Sequence, residues 1–350
     1  EMRHVDEKQV QRLMATVSNS CRRQFQHRIH YFPCHLTYTK LPTSIVLGPV
    51  TFYNRSGANS ELLKRRLTVS EAKALPPHAR DLSAQALKYY RSFRWLAKVS
   101  VSECDERTSN ILAEEATTRA LDGIHILIGA PWTGRMQIGG MGVRHERGAK
   151  LTVTGNGGLD PSVSFAYLGE VHFDDSWAAL LEDNLGTSFL TLFGTALESV
   201  VNPNLIRPLS LRYLDAAQWF GEAVRDKHPA TKIVKYMNAL ERVLLPIKVE
   251  KIADVISNRI ASLCFNFRKM PDEASFNEWQ ARAKKAYDLR SELVHGSISP
   301  SDIKVENGVF NIAELTQLVL LRMPFLMGLD ALKARKVSDK DINNWLDNFV

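Results

Sequence analysis

Residues 286–296 read AYDLRSELVHG, and this segment gives the clearest indication of how the second half of the chain folds. Leu289 and Leu293 are four residues apart, so both lie on one face of a helix. Gly296 is a residue type that commonly stands just beyond the C-terminus of a helix. The stretch therefore predicts the end of an amphipathic helix, with His295 in its last turn.

Arg290 and His295 lie on the same helix, five residues apart. That spacing separates them by about 140° around an ideal helix. They can border one groove if the last turn is loosened, and a symmetric dimer could bring two such pairs together.

An arginine and a histidine suit the cleavage of RNA without a metal ion. His295 can exchange a proton with the ribose 2′-hydroxyl or the leaving 5′-oxygen. Arg290 can hold the phosphoryl oxygens and stabilise the charge of the transition state. Ser291 could orient either group through a hydrogen bond. The products would be a 2′,3′-cyclic phosphate and a 5′-hydroxyl, and DNA could not react by this route.

The spacing alone is not specific. A histidine follows an arginine at a similar distance elsewhere in the chain: Arg22/His27, Arg23/His30, Arg28/His35 and Arg119/His125. On spacing alone, a helix-capping histidine beside a salt-bridged arginine is the competing interpretation.

The chain from about residue 177 onwards has the periodicity of successive amphipathic helices, which predicts a helix bundle. A hairpin-like stretch is predicted around Asn307-Gly308. A long apolar helix over 312–332, kinked at Pro324, is predicted after it.

The first half predicts an α+β unit. Residues 44–54 predict two strands around a Gly48-Pro49 turn, and 93–101 predict another strand. Helices are predicted over 5–18, with irregular chain after it, and over 108–128. The predicted fold class is therefore α+β, with a mixed domain over 1–200 and an all-α bundle over 201–350.

Residues 200–335 resemble the HEPN superfamily, most closely the Apea-like HEPN domains of prokaryotic proteins. The resemblance rests on YDLRSELVHG at 287–296 and YMNALERVLLP at 236–246, with support from 211–226 and 251–263. It implies a helical bundle, a homodimer formed around the motif and metal-independent ribonuclease activity. The catalytic arginine and histidine of the family correspond to Arg290 and His295. The position after the arginine, often Asn, Asp or His in the superfamily, is Ser291 here.

Glu241 lies in the second of these segments. A carboxylate in an otherwise apolar helix face could pair with Arg290 and fix its rotamer. The alternative is a partly exposed glutamate paired with Lys235 or Lys285. We expect a supporting role for Glu241 in either case.

Positive charge is concentrated in the first 100 residues, which hold 17 Lys and Arg against 6 Asp and Glu. Such a segment attracts a phosphate backbone, although a solvated surface or an interface with an acidic partner fits equally. The candidate RNA-binding residues are Lys64, Arg65, Arg66, Arg91 and Arg94.

Four scattered cysteines and no CxxC pair favour a reducing, cytoplasmic setting. Cys21, His27, His30 and Cys34 could supply zinc ligands, but their spacing matches no standard finger, so no metal and no other cofactor is predicted. No uninterrupted apolar stretch of about 18 residues appears, so no membrane partner is expected.

The leading functional hypothesis is an endoribonuclease, with tRNA among the candidate substrates. It would act as a toxic effector in antiviral defence by abortive infection, under a phage-derived trigger or regulatory partner. The alternative is an inactive HEPN scaffold for dimerisation, RNA binding or partner binding.

Overall fold

The computed structural model describes residues 6–55, 76–139, 146–153, 159–166, 173, 176–265 and 273–348. The described N-terminal half contains an antiparallel sheet with strand order β2-β3-β4-β1-β5, and a separate hairpin of β6 and β7. The strands are β1 Gln26–His35, β2 Ser44–Leu47, β3 Val50–Asn54, β4 Trp95–Cys104, β5 Gln137–Ile138, β6 Glu146–Val153 and β7 Leu159–Ala166. The helices are α1 Glu7–Gln24, α2 Pro77–Tyr90, α3 Glu106–Ile128 and the short α4 Ala130–Thr133.

The strand pair predicted around Gly48-Pro49 is confirmed. Strands β2 and β3 pair from Ser44 and Tyr53 to Leu47 and Val50. Gly48 has a φ of 54°, and a Cβ there would overlap the backbone of Gly194. The turn therefore needs a glycine for its conformation and for the close approach of the neighbouring helix.

Strand β1 corrects the expectation of irregular chain after the first helix. It pairs with β4 along most of its length, from Gln26 opposite Cys104 to Cys34 opposite Trp95. Its exposed N-terminal half is rich in His, Arg and Gln and does not have the alternating pattern of a strand. Pairing with β4, distant in the sequence, makes this segment a strand, and local patterns do not report such pairing.

Helix α3 confirms the helix predicted over 108–128. It begins at Glu106 because Asp105 accepts a hydrogen bond from the Thr108 amide at 3.0 Å and caps the helix. The helix packs against β4 on one side and against later helices on the other. Its buried contact residues include Ala113, Ala116 and Ala120.

From residue 177 the described chain is helical, as predicted. The helices are α5 Trp177–Glu182, α6 Asn184–Val201, α7 Pro208–Arg225, α8 Pro229–Leu244, α9 Ile252–Phe265, α10 Glu273–Val294, α11 Ile303–Lys333 and α12 Asp339–Asp347. Pro208 and Pro229 stand in the first turns of their helices, where a missing amide hydrogen is tolerated. The predicted class, a mixed N-terminal half followed by a mostly helical C-terminal half, is confirmed.

Two local predictions in α11 are wrong. Asn307 and Gly308 lie inside the helix rather than in a hairpin. Because Gly308 faces Leu289 of α10, its missing side chain serves helix packing instead of a turn. The break in the helix falls at Gly328, with a φ of 70°, and not at Pro324.

The buried side chains of both halves form one hydrophobic core. The predicted domain boundary between residues 200 and 201 falls at the end of helix α6. This helix packs against both α3 and α11. The division into two domains stays a prediction.

Helix α11 is long and apolar enough to span a membrane by length and composition. Half of the qualifying window is buried inside the structure, where α11 packs against α6, α7 and α8. These features fit the core helix of a soluble protein.

Candidate active site around Arg290 and His295

Helix α10 ends just before Gly296 with a regular pattern of backbone hydrogen bonds. The His295 amide donates to the Ser291 carbonyl at 3.0 Å, as in an unbroken helix. The Gly296 amide donates to Leu293 at 3.2 Å and the Ser297 amide to Glu292 at 2.8 Å. With Gly296 at a φ of 71°, these two bonds form a Schellman motif, so the predicted helix end is confirmed.

His295 is the C-cap residue of this motif and is exposed. His295 is therefore accessible to a substrate.

Arg290 lies on the opposite, inward side of α10. Its side chain is 21% exposed, and its Nη2 lies 3.4 Å from Oε1 of Glu241 on α8. Its guanidinium carbon lies 5.9 Å from the ring centre of Tyr287. Its Nε is buried without a hydrogen-bond partner. The predicted contact between Arg290 and Glu241 is therefore present, and it fixes where the guanidinium sits.

The alternative partners of Glu241 are engaged elsewhere or distant. Lys235 lies 2.8 Å from Asp226, and Lys285 lines a cleft on another face of α10. The neighbouring Arg242 lies 2.7 Å from Asp215 of α7. Burial raises the pKa of Glu241, and the charge of Arg290 opposes that rise. Glu241 is therefore a half-buried carboxyl whose nearest compensating charge is Arg290.

Arg290 and His295 are not brought together within the described chain. No hydrogen bond or ion pair joins their side chains there. Because the last turn keeps its helical hydrogen bonding, the 140° separation expected from the spacing is retained. The hydroxyl of Ser291 also bonds to neither of them in the described structure.

The candidate RNA-binding residues of the N-terminal half have different surroundings. Arg91 is exposed, whereas Arg94 is half-buried and donates to the Thr39 carbonyl at 3.3 Å. Arg94 thus supports the loop before β2. Lys64, Arg65 and Arg66 lie outside the described residues.

The four side chains weighed as zinc ligands are dispersed. His27 is hydrogen-bonded to Ser100 at 2.8 Å and His30 to Ser109 at 2.6 Å. Cys21 is exposed on α1, whereas Cys34 is buried, which raises its pKa to about 12. Within the part of the chain that the structure describes, no three His, Cys, Asp or Glu side chains are grouped to hold a metal ion.

The sequence analysis missed a buried polar cluster between α3 and α7. Asp122 is fully buried, and its Oδ1 lies 2.7 Å from Nη1 of Arg225. Burial raises the pKa of Asp122 to about 6, and Arg225 opposes that rise. His125, one turn further along α3, is fully buried with neither ring nitrogen hydrogen-bonded. The available signal was two titratable residues three apart in the apolar stretch LDGIHILIG.

Comparisons with protein-family models, with curated proteins and with solved structures found no match to this chain. The resemblance to HEPN domains therefore stays a prediction from sequence, and the arrangement of Arg290, Glu241 and His295 is what the structure adds to it.

Proposed function

We propose that the chain is a metal-independent endoribonuclease whose reaction is carried by Arg290 and His295. The observation that supports it most is the unequal environment of the two side chains. The guanidinium of Arg290 on α10 is held by a half-buried carboxylate on α8, and the exposed imidazole of His295 stands at the end of α10. This reaction needs a fixed cation to stabilise charge and an accessible group that can take up and release a proton.

In the proposed reaction, a histidine takes the proton of the ribose 2′-hydroxyl as its oxygen attacks phosphorus. The bond from phosphorus to the 5′-oxygen breaks, and the leaving oxygen takes a proton from the protonated histidine or from water. The arginine stabilises the negative charge on the phosphoryl oxygens. The products are a 2′,3′-cyclic phosphate and a 5′-hydroxyl end.

The angle between Arg290 and His295 supports a composite site. Because one chain directs them to different sides of α10, a single linkage is reached more readily by the arginine of one chain and the histidine of another. We therefore include a homodimer formed through the bundle in the proposal.

The biological role rests on the resemblance. We propose a cytoplasmic toxic effector of antiviral defence that halts growth by cutting host or phage RNA, including tRNA. A phage-derived trigger or regulatory partner would release the activity.

The test is incubation of the purified chain with total tRNA and with single-stranded DNA, both in EDTA. We expect cleavage of RNA alone, with cyclic-phosphate ends, and loss of cleavage in Arg290→Ala and in His295→Ala. The matched controls are His228→Ala and Arg335→Ala, which change exposed residues of the same bundle. If both site variants cut as well as the parent, the assignment of the site is wrong.

The scaffold hypothesis is favoured by one observation, the engagement of Arg290 with Glu241 rather than with a solvent-facing groove. It predicts a dimer that binds RNA or a protein partner without cutting RNA. Mixing Arg290→Ala with His295→Ala separates the two hypotheses. A composite active site regains part of its activity when the two inactive variants form mixed dimers, whereas a scaffold shows no cleavage in any mixture.

A further inference from the structure

A cleft of about 680 Å³ lies between α10 and the first turns of α11. Its volume is within the range of sites that hold small molecules. The floor is apolar and is formed by Ala286, Leu289, Gly308 and Ile312. A Cβ on Gly308 would overlap Cδ2 of Leu289, so this glycine lets the two helices approach at the floor.

Two lysines stand on opposite walls of the cleft, Lys285 on α10 and Lys304 on α11. Both are exposed, and within the described structure neither ammonium group has a carboxylate or hydrogen-bond partner. Two ammonium groups that line one cavity and have no ion-pair partner can bind an anion such as a phosphate.

The third cation of the cleft, Arg282, is already compensated. It donates to Oδ1 of Asn311 through Nε at 2.9 Å and Nη2 at 2.5 Å, and Nη2 lies 2.7 Å from Glu314. Its guanidinium carbon lies 4.6 Å from the ring centre of Trp279. Arg282 therefore closes one end of the cleft as a fixed wall, and the lysines are the cations left for a ligand.

The lining also carries polar groups suited to the edge of a nucleobase. Asp288, Glu292 and Asn307 contribute two carboxylates and an amide, and none of their side chains has a partner in the described part of the chain. Carboxylates accept hydrogen bonds from the amino and imino groups of bases, and an amide both donates and accepts. The two carboxylates also repel further phosphates, so the lining fits one nucleotide better than a length of backbone.

We propose that this cleft binds one nucleotide of a single-stranded RNA, with its phosphate on Lys285 and Lys304 and its base on the apolar floor. The proposal deepens the proposed nuclease function and rests on it for the identity of the ligand. Asp288 and Glu292 each lie about 160° around α10 from Arg290, and His295 lies about 140° from Arg290. All three side chains are therefore on the side of α10 that faces away from Arg290. A strand seated in the cleft would therefore pass the exposed imidazole.

The experiment measures the anisotropy of a fluorescent single-stranded RNA oligonucleotide with the full chain, in EDTA. Every protein carries His295→Ala so that the RNA stays intact. We expect the double variant Lys285→Ala/Lys304→Ala to lose at least about tenfold in affinity for the RNA. The slope of log affinity against log salt concentration should become shallower by about one to two. The matched control is Lys284→Ala, the adjacent lysine, which is 3.6 Å from Asp254 and does not line the cleft. It should bind as the parent does.

Competition by nucleoside monophosphates tests whether the base binds on the floor of the cleft. We expect them to compete with the oligonucleotide at least about tenfold better than ribose 5-phosphate, since apolar contact with the floor and hydrogen bonds to the base edge add to the phosphate contacts. Equal competition by ribose 5-phosphate overturns the assignment of the base to the floor.

Unchanged RNA affinity in the lysine double variant overturns the proposal. So does a double variant that changes only its oligomeric state, because the cleft would then belong to a second copy of the chain. Failure of the nuclease proposal is recognised separately: the chain with His295 intact leaves the RNA uncut, while the His295→Ala protein still binds it in a lysine-dependent way.

Discussion

Nη2 of Arg290 lies 3.4 Å from Oε1 of Glu241, and the two side chains come from different helices of the bundle. Both are mostly buried, with 21% and 27% of their side chains exposed. Since Nε of Arg290 has no partner, the carboxylate of Glu241 is the main contact that fixes the guanidinium. Glu241 is therefore a positioning residue in the proposed reaction rather than a group that touches the RNA.

Replacing Glu241 by alanine should lower both stability and activity. The change leaves a half-buried guanidinium without its counter-charge, which costs about 1–3 kcal/mol in the free energy of unfolding. Misplacement of the arginine should reduce kcat by about ten- to a hundredfold, with KM little changed. Denaturant unfolding and steady-state cleavage of RNA measure the two effects.

Two further variants separate positioning from general destabilisation. Glu241→Gln keeps the shape and one hydrogen bond, so it should recover part of the kcat. Glu250→Ala, at an exposed position, should change neither quantity. A Glu241→Ala protein with full kcat would show that Arg290 needs no support.

Asp122 makes stability depend on pH. Its pKa is raised to about 6 by burial, from an ordinary value near 3.8. A carboxyl whose pKa is higher in the folded state takes up a proton on folding. Its contribution to stability is therefore complete below about pH 4 and is lost as the pH rises through about 6, by up to about 3 kcal/mol.

The neutral variant Asp122→Asn should remove this dependence. The free energy of unfolding of the parent, minus that of the variant, should fall between pH 4.5 and pH 7 in denaturant titrations. The subtraction removes the opposite contribution of His125. The unpaired Arg225 of the variant adds an offset to the difference that does not change with pH in this range. A constant difference over that range would mean that Asp122 stays ionised in the folded protein.

His125 should have the opposite effect. Burial, reinforced by the nearby Arg225, lowers its pKa well below the ordinary value. Its contribution is therefore present above about pH 6.5 and is lost as the pH falls towards its pKa in the folded state. The free energy of unfolding of His125→Leu, minus that of the parent, should therefore be larger at pH 5 than at pH 7.

A surface histidine supplies the control. His228→Leu makes the same substitution at an exposed position and is measured alongside as the control. If His125→Leu and the parent lose stability in parallel on acidification, the imidazole is not held neutral in the core.

Local signals in the sequence located much of the fold but not its long-range contacts. The β2–β3 hairpin was predicted because its turn and both strands are adjacent in sequence. Strand β1 was missed because its register is set by β4, about 70 residues away. Asn307-Gly308 has the composition of a turn, yet packing against Leu289 keeps it helical. Tertiary contacts override local preference at both places.

Only part of the candidate site could be predicted, because local signals in the sequence do not report how helices pack. The end of α10 at Gly296 follows from local chemistry, and the roles proposed for Arg290 and His295 rest on a resemblance to known sequences. Their separation around α10 follows from the spacing. The burial of Arg290 against Glu241 could only be suggested, since it depends on how α8 and α10 pack. The cleft beside α11 has no signal in any single segment, because its walls come from two helices.

Gly296 provides a test of how the position of His295 depends on the helix end. Its φ is 71°, and a Cβ at this position would meet nothing within 4 Å. The effect of Gly296→Ala is therefore backbone strain alone, about 1–2 kcal/mol, and Gly296→Asn should be tolerated better because asparagine adopts this conformation more readily. We expect the alanine variant to loosen the last turn of α10, to displace His295 and to reduce RNA cleavage by more than its loss of stability explains.

Gly328 is a matched control, since it has a φ of 70° and equally open surroundings. Gly328→Ala should lose a similar amount of stability in thermal unfolding while cleavage stays at the parent's rate. Equal effects of the two substitutions on cleavage would show that the Schellman motif does not position the imidazole.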